Sequence, residues 1–227
     1  ALAGADLEVC SEGAGRRVTI RPGPLAPFEL VVPGDPSQAA FWVVAACCVP
    51  GSEVVVESIY LGPARGGFLE VLHRMGADVE ARRRGGGTVD LVARYGPLQG
   101  TDVTGEEVPG LVDEIPVLAV AAACAEGTTT FSGAAELRVK ESDRIATTVA
   151  ALVALGAKVE PRADGLVVHG GRLSAGSVDS AGDHRIAMAA AVAALVPSGR
   201  SVIGGWDAVA TSYPAFRTDL DRLTERW

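Results

Sequence analysis

Aromatic residues make up only 5% of this 227-residue chain, which excludes a core built around large ring wedges and leaves close packing of small side chains to take its place. Long apolar runs are missing too. The stretch from Ala39 to Val49 stops at Pro50 and Gly51, well short of the roughly 20 residues of a membrane span. Positive charge is in deficit, with 20 Lys and Arg against 28 Asp and Glu and a net charge of −8. Nucleic acid and anionic membranes repel such a chain at long range, which argues against both as partners, although a local basic cluster can still hold a small anion. Cysteine is scarce: Cys47, Cys48 and Cys124 fall in apolar helix-like runs and Cys10 stands alone, a pattern of packing thiols that fits neither zinc-ligand spacing nor a disulfide framework. No nucleophilic triad, Walker loop or dinucleotide fingerprint stands out. His73 and His169 are isolated. Neither Met nor a signal peptide opens the chain, as expected of a piece of a longer polypeptide, and cytoplasmic residence is the default expectation.

With 48% hydrophobic residues, the chain can fill a compact core. Its main organisational signal is repetition. Three segments, starting at Asp35, Asp113 and Asp183, share the order acidic residue, Ala-rich apolar run, Gly or Pro-Gly turn, β-rich run. Each opening Asp stands where a helix N-cap belongs, and Asp35 with Pro36 and Gln38 fits a capping box with proline at the first helical position. The helices that follow are apolar on nearly every face and are expected to be buried. A second helix is predicted over Gly67 to Met75 and again over Ile145 to Leu155. Gly76 and Gly156 serve as C-caps leading into strands Asp78 to Ala81 and Lys158 to Glu160, and Phe216 to Leu223 is the third counterpart. Arg82-Arg83-Arg84 before Gly85-Gly86-Gly87 reads as a solvated hairpin turn. Together these predict an α/β fold of three repeated units. Residues 1–26 do not match the repeat. Leu7 to Val9 and Arg17 to Arg21 alternate like strands around a turn at Ser11 to Arg16, before a Pro22, Pro24, Pro27 connector. This stretch reads as the tail of a preceding domain, with the repeat domain over 27–227.

The most informative segment is Glu136-Leu-Arg-Val-Lys-Glu-Ser-Asp-Arg144. A helix starting near Lys140 would make Lys140 and Arg144 i and i+4 neighbours, two cations that repel each other and the helix N-terminus unless an anion binds. A solvated charged face, with Glu141 and Asp143 compensating, is the plainer alternative. The third repeat echoes the pattern: Asp183-His184-Arg185 again puts a cation in a first helical turn, where unpaired N–H groups face anions. Asp113 has two readings, a structural N-cap or a proton-handling carboxylate at a cleft, and position alone favours the cap.

Taken in order and spacing, RVKESDR at 138–144, DHRIAM at 183–188, VPGDPSQAAF at 32–41 and the threefold repeat resemble the 5-enolpyruvylshikimate-3-phosphate synthases over about residues 5–223. The resemblance implies a two-domain parent in which each half is three βαβαββ units, this chain being one globular half of the enolpyruvyl transferase fold and its C-terminal domain. It implies transfer of the enolpyruvyl group of phosphoenolpyruvate to the 5-hydroxyl of shikimate 3-phosphate, without cofactor or metal, by a monomeric parent. By the same resemblance Asp113 contacts shikimate 3-phosphate and accepts its proton, Lys140 reaches both substrates, and Glu141 serves the methylene carbon. Arg144 and Arg185 clamp phosphoenolpyruvate, with His184 lining that region. Two departures stand out. Ala210-Thr211-Ser212-Tyr213-Pro214 lacks the lysine many members carry there, and Glu136 replaces an asparagine of some members. The missing N-terminal half implies that this chain alone turns over negligibly. Competing readings are an enolpyruvyl transferase acting on UDP-N-acetylglucosamine, and a non-enzymatic domain whose basic helix starts bind anionic partners.

Overall fold

The computed structural model describes residues 3–13, 15–62 and 65–224. The chain divides into two compact units, Ala1–Val32 and Pro33–Trp227. The first holds a single antiparallel hairpin, β1 (Leu7–Glu12) and β2 (Gly15–Ile20), paired Leu7 with Ile20 and Val9 with Val18. It is exposed along both strands. Of the turn expected at Ser11 to Arg16, Ala14 lies outside the described residues.

The second unit opens with α1 (Pro36–Cys48), β3 (Glu53–Ile59), α2 (Gly67–Arg74), β4 (Asp78–Arg83) and β5 (Val89–Arg94). It continues through β6 (Asp102–Val103), α3 (Ile115–Cys124), β7 (Thr128–Phe131), α4 (Arg144–Ala154), β8 (Lys158–Arg162) and β9 (Gly165–His169). It closes with β10 (Ser177–Asp179), α5 (His184–Ala193), β11 (Val202–Gly204) and α6 (Phe216–Thr224). The middle stretch, β6 to β9, runs in the full βαβαββ order. In the first stretch the leading strand shrinks to one bridge, Gly34 with Ile59, because Pro33 and Pro36 have no N–H to extend a ladder. In the last stretch no hairpin follows α6 among the described residues.

Layering follows from composition. α1, α3 and α5 are buried almost throughout and pack against one another, their Ala-rich faces letting three helices share one core. Sheets flank them: β3-β5-β4 lies against α1, β6-β7-β9-β8 lies against α3, and the parallel pair β10-β11 lies beside α5. The outer helices have one buried stripe each, Phe68, Leu69, Val71 and Leu72 on α2 and Ile145, Thr148, Ala151 and Leu152 on α4, the i, i+3, i+4 spacing of an amphipathic helix. Aromatics are few but gathered: Phe216 stacks on Trp42 at 4.7 Å and meets Tyr213 and Phe41 edge-on, fastening α6 to α1.

The three inner helices run parallel. Their C-terminal ends meet where Cys48, Cys124 and Val196 line a common hollow, while Ser37, Asp113 and Glu114 gather at their N-terminal ends and Arg185 at the start of α5 donates to the Asp113 carbonyl. Three helix N-termini with their unpaired N–H groups and partial positive charge therefore face the same end of the unit. All four cysteines are free thiols; burial pushes the Cys47 thiol up to about 12, which suits an inert packing residue.

Replacing Phe216, which is fully buried, by Ala is expected to destabilise the chain by about 3–5 kcal/mol. Urea denaturation followed by Trp fluorescence measures this, and a loss below about 1 kcal/mol would show that α6 is not held through this ring.

Candidate active site

Local sequence sets each element that feeds this end. Asp35, in extended conformation, caps α1 by accepting from the Ser37 N–H at 3.0 Å, and Asp183 caps α5 through the Arg185 N–H at 2.9 Å. The left-handed Ala181 and Gly182 that precede Asp183 turn the chain so that its carboxylate enters the fold. The capping box predicted at Gln38 does not form: Gln38 donates to the Ser212 hydroxyl instead and its side-chain oxygen has no hydrogen-bond partner among the described residues, because the side chain is drawn across to the loop before α6.

Asp113 is not a cap. It lies in a 3₁₀ turn, Val112–Glu114, and α3 starts at Ile115 with no side-chain cap at all. Its carboxylate faces three cations: Arg144 Nη1 at 2.9 Å, Arg185 Nη2 at 3.6 Å and Lys140 Nζ at 3.9 Å. Tertiary charge has outcompeted local capping. The expected helix start at Lys140 is also corrected. Asp143 caps α4 by accepting from the Ala146 N–H, so the helix begins at Arg144 and Lys140 is extended, just past the 3₁₀ turn Ala135–Val139. Lys140 and Arg144 thus meet through the same Asp113 oxygen rather than as i, i+4 partners on one helix.

Arg144 is the centre of the cluster and is 1% exposed. Its Nε donates to Asp183 at 2.8 Å, Nη1 to Asp113, and Nη2 to Glu141 at 2.5 Å and to the second Asp183 oxygen at 3.4 Å. Asp183 is fully buried and also accepts from the Ser142 hydroxyl at 3.0 Å. Burial alone would push its carboxyl up; the Arg144 hydrogen bond and charge, the Arg185 N–H and Ser142 outweigh it and hold the carboxyl below its usual value. Lys140 is paired with Glu136 at 2.6 Å. His184, half-buried at the start of α5, is held below its ordinary value by burial and by the neighbouring Arg185. The structure therefore brings Asp113, Lys140, Glu141, Arg144 and Arg185 together, with His184 beside them. Among the described residues each cation of the cluster has a carboxylate partner: Glu141 compensates Arg144, as the plainer reading had it, while Asp143 instead caps α4 and pairs with Arg138, and Glu136 pairs with Lys140.

Sequence reasoning did not find the Asp183–Arg144 pair or the role of Ser142, because 39 residues separate the first two and both Asp183 and Ser142 have ordinary local readings. Nor did it single out Arg65, which pairs with Asp35 at 2.6 Å. A polar hollow of about 50 Å³ lined by Arg65, Ser37, Asp113 and Glu114 adjoins the cluster. The more voluminous apolar hollow lined by Trp42, Val49, Leu195 and Leu220 shares none of these residues. Among the described residues no group of three or more His, Cys, Asp or Glu is arranged to hold a metal ion, and no helix is long and apolar enough to cross a membrane.

The family model for EPSP synthase (3-phosphoshikimate 1-carboxyvinyltransferase) matches residues 1–220. A 3-phosphoshikimate 1-carboxyvinyltransferase of Parasynechococcus marenigrum is 49% identical over 226 residues, 97% of this chain and 51% of the relative. An EPSP synthase structure from Acinetobacter baumannii superposes with a TM-score of 0.88 at 38% identity, over 97% of this chain and 52% of that one. The enolpyruvyl transferase NikO of Streptomyces tendae superposes at 0.73 with 24% identity, which bears on fold alone. The chain spans about half the length of the curated relatives it matches.

Burial pushes the Glu114 carboxyl up, against the Ser37 hydroxyl and the Arg185 charge. A carboxyl raised in the folded state costs stability only once it ionises: the penalty is absent below the unfolded value of about 4.3 and grows as pH rises through the folded value. Glu114→Gln is expected to be more stable than the parent at pH 7 and no more stable at pH 4, measured by urea denaturation at both. A gain of equal size at both would show that ionisation of Glu114 is not its origin.

Proposed function

Because the chain belongs to the EPSP synthase family, we propose that it supplies the C-terminal half of a site that transfers the enolpyruvyl group of phosphoenolpyruvate to the 5-hydroxyl of shikimate 3-phosphate, releasing phosphate. The observation that carries this reading is the Asp113 carboxylate, ringed by Lys140, Arg144 and Arg185 where three inner helix N-termini meet. A carboxylate free of capping duty can take a proton, and cations fixed at helix starts can hold anionic groups.

The reaction runs by addition and elimination. Asp113 takes the proton of the 5-hydroxyl as its oxygen attacks C2 of the enol, and Glu141 delivers a proton to C3. The tetrahedral adduct then returns a proton from C3 to the Glu141 carboxylate as the bond from C2 to the phosphate oxygen breaks, and the departing phosphate takes up the proton held by Asp113. Lys140, Arg144 and Arg185 hold the carboxylate and phosphate groups and offset the charge that moves between them, so electrostatics and orientation do most of the work. These cations are matched by carboxylates of the same cluster, so the substrates must displace some of them. Glu136 and Glu141, with side chains 63% and 52% exposed, are free to swing away. Asp183 is not.

Half the site is not enough: a polypeptide with these residues alone leaves one side of each substrate in water. The 227-residue chain by itself is expected to release no phosphate above background. The complete protein is expected to release it with phosphoenolpyruvate and shikimate 3-phosphate but not with UDP-N-acetylglucosamine, in a coupled phosphate assay, and activity only with the nucleotide sugar would overturn the reading. In that protein Asp113→Asn should lower kcat by about 10²–10⁴-fold. A kcat within twofold of the parent would remove Asp113 from the proton pathway.

A further inference from the structure

We propose that Asp183 is a positioning residue that sets Arg144 and Arg185 as one anion clamp. Its side chain is fully buried, and its hydrogen bonds run to Arg144, Ser142 and the Arg185 backbone. One oxygen accepts from the Arg185 backbone N–H at 2.9 Å and lies 3.4 Å from Arg144 Nη2; the other accepts from Arg144 Nε at 2.8 Å and from Ser142 at 3.0 Å. A single carboxylate thus grips the edge of the Arg144 guanidinium side-on and fixes the first turn of α5, from which Arg185 projects. Ser142, itself bonded to Thr147 of α4, ties the same carboxylate to the loop that carries Lys140 and Glu141.

The geometry separates the partners of Arg144 into one that is wholly buried and two that are partly exposed. Gripped at Nε, the guanidinium plane has one orientation, and its Nη1 and Nη2 groups point toward Asp113 and Glu141, the side on which Lys140 and Arg185 also lie. When Glu141 leaves, Nη2 keeps its place for an incoming carboxylate because Asp183 still holds the other edge. Without Asp183 the guanidinium would lose its anchor and a buried cation would lose its only fully buried counter-ion, so it would turn toward whichever carboxylate remained. An ordinary N-cap needs one oxygen; the second oxygen of Asp183 is committed to Arg144 and Ser142.

This rests on Arg144 and Arg185 holding phosphoenolpyruvate, and the experiment separates the two claims. In the full-length protein, Asp183→Asn and Asp183→Ser both keep a competent helix cap and disturb the grip on Arg144. Each is expected to raise the KM for phosphoenolpyruvate by about ten- to a hundredfold while the KM for shikimate 3-phosphate stays within about twofold. In an Arg144→Ala background, Asp183→Asn should add less than about a further twofold, since residues acting through one group are not additive. If both Asp183 variants leave the phosphoenolpyruvate KM unchanged while Arg144→Ala raises it, or if the double variant is fully additive, Asp183 is only a cap and the proposal falls alone. If Arg144→Ala itself leaves that KM unchanged, the clamp reading falls and takes the proposal with it. Should Asp183→Asn fail to fold, Ser142→Ala decides: it removes one hydrogen bond to Asp183, and a rise of about two- to fivefold in the phosphoenolpyruvate KM supports the proposal, whereas an unchanged value overturns it.

Discussion

A guanidinium taken almost wholly out of water is the constraint around which this end of the molecule is arranged. Arg144 cannot shed its charge, so burial obliges the fold to surround it with acceptors. Asp113, Glu141 and Asp183 meet that demand from three separate segments of the chain. Each of those segments is held by something else: Asp183 by the turn before α5, Asp113 by the 3₁₀ turn before α3, and Glu141 by the short loop that Asp143 ends when it caps α4. Remove the guanidinium and three carboxylates would crowd one another. The charge network and the backbone geometry of three loops are therefore one structure.

What allows three helices to bring their N-termini so near is the smallness of their side chains. α3 and α5 are Ala-rich on every face, and nearly all of their residues are buried. Bulkier residues would push the axes apart and carry the caps with them. Parallel packing of helix dipoles is unfavourable by itself, and at this end it leaves partial positive charge that carboxylates or bound anions offset. The scarcity of aromatics and the abundance of alanine thus bear on chemistry as well as on packing, since they determine how close the helix ends can come.

The cluster's own cations and carboxylates nearly balance. Glu136 covers Lys140, and three carboxylates cover Arg144. Any anion entering this cluster would have to exchange with its partly exposed carboxylates, not simply fall into a positive hole. Such an exchange conserves pairing, and so limits both the cost of an empty site and the gain on filling it.

The sequence by itself determined what depends on near neighbours and on periodicity. The three Ala-rich helices and their burial, the caps at Asp35 and Asp183, and the motifs that carry the family resemblance were all legible, because a cap reads only two or three residues onward and a buried helix shows its character in composition; the turn expected over Arg82 to Gly87 is shorter, since β4 pairs as far as Arg83. Tertiary structure alone decided the rest. Asp113 has the sequence position of a cap but serves three cations, Lys140 lies outside the helix it was expected to start, and Gln38 turns from its own helix to Ser212. For Asp113 and Gln38 a partner 27 to 174 residues away supplied a charge or hydrogen bond that the local option could not match, whereas Lys140 was left outside the helix by a nearby cap, Asp143. Coulombic and hydrogen-bond energies depend on distance in space, and one-dimensional spacing carries no record of it across separate loops.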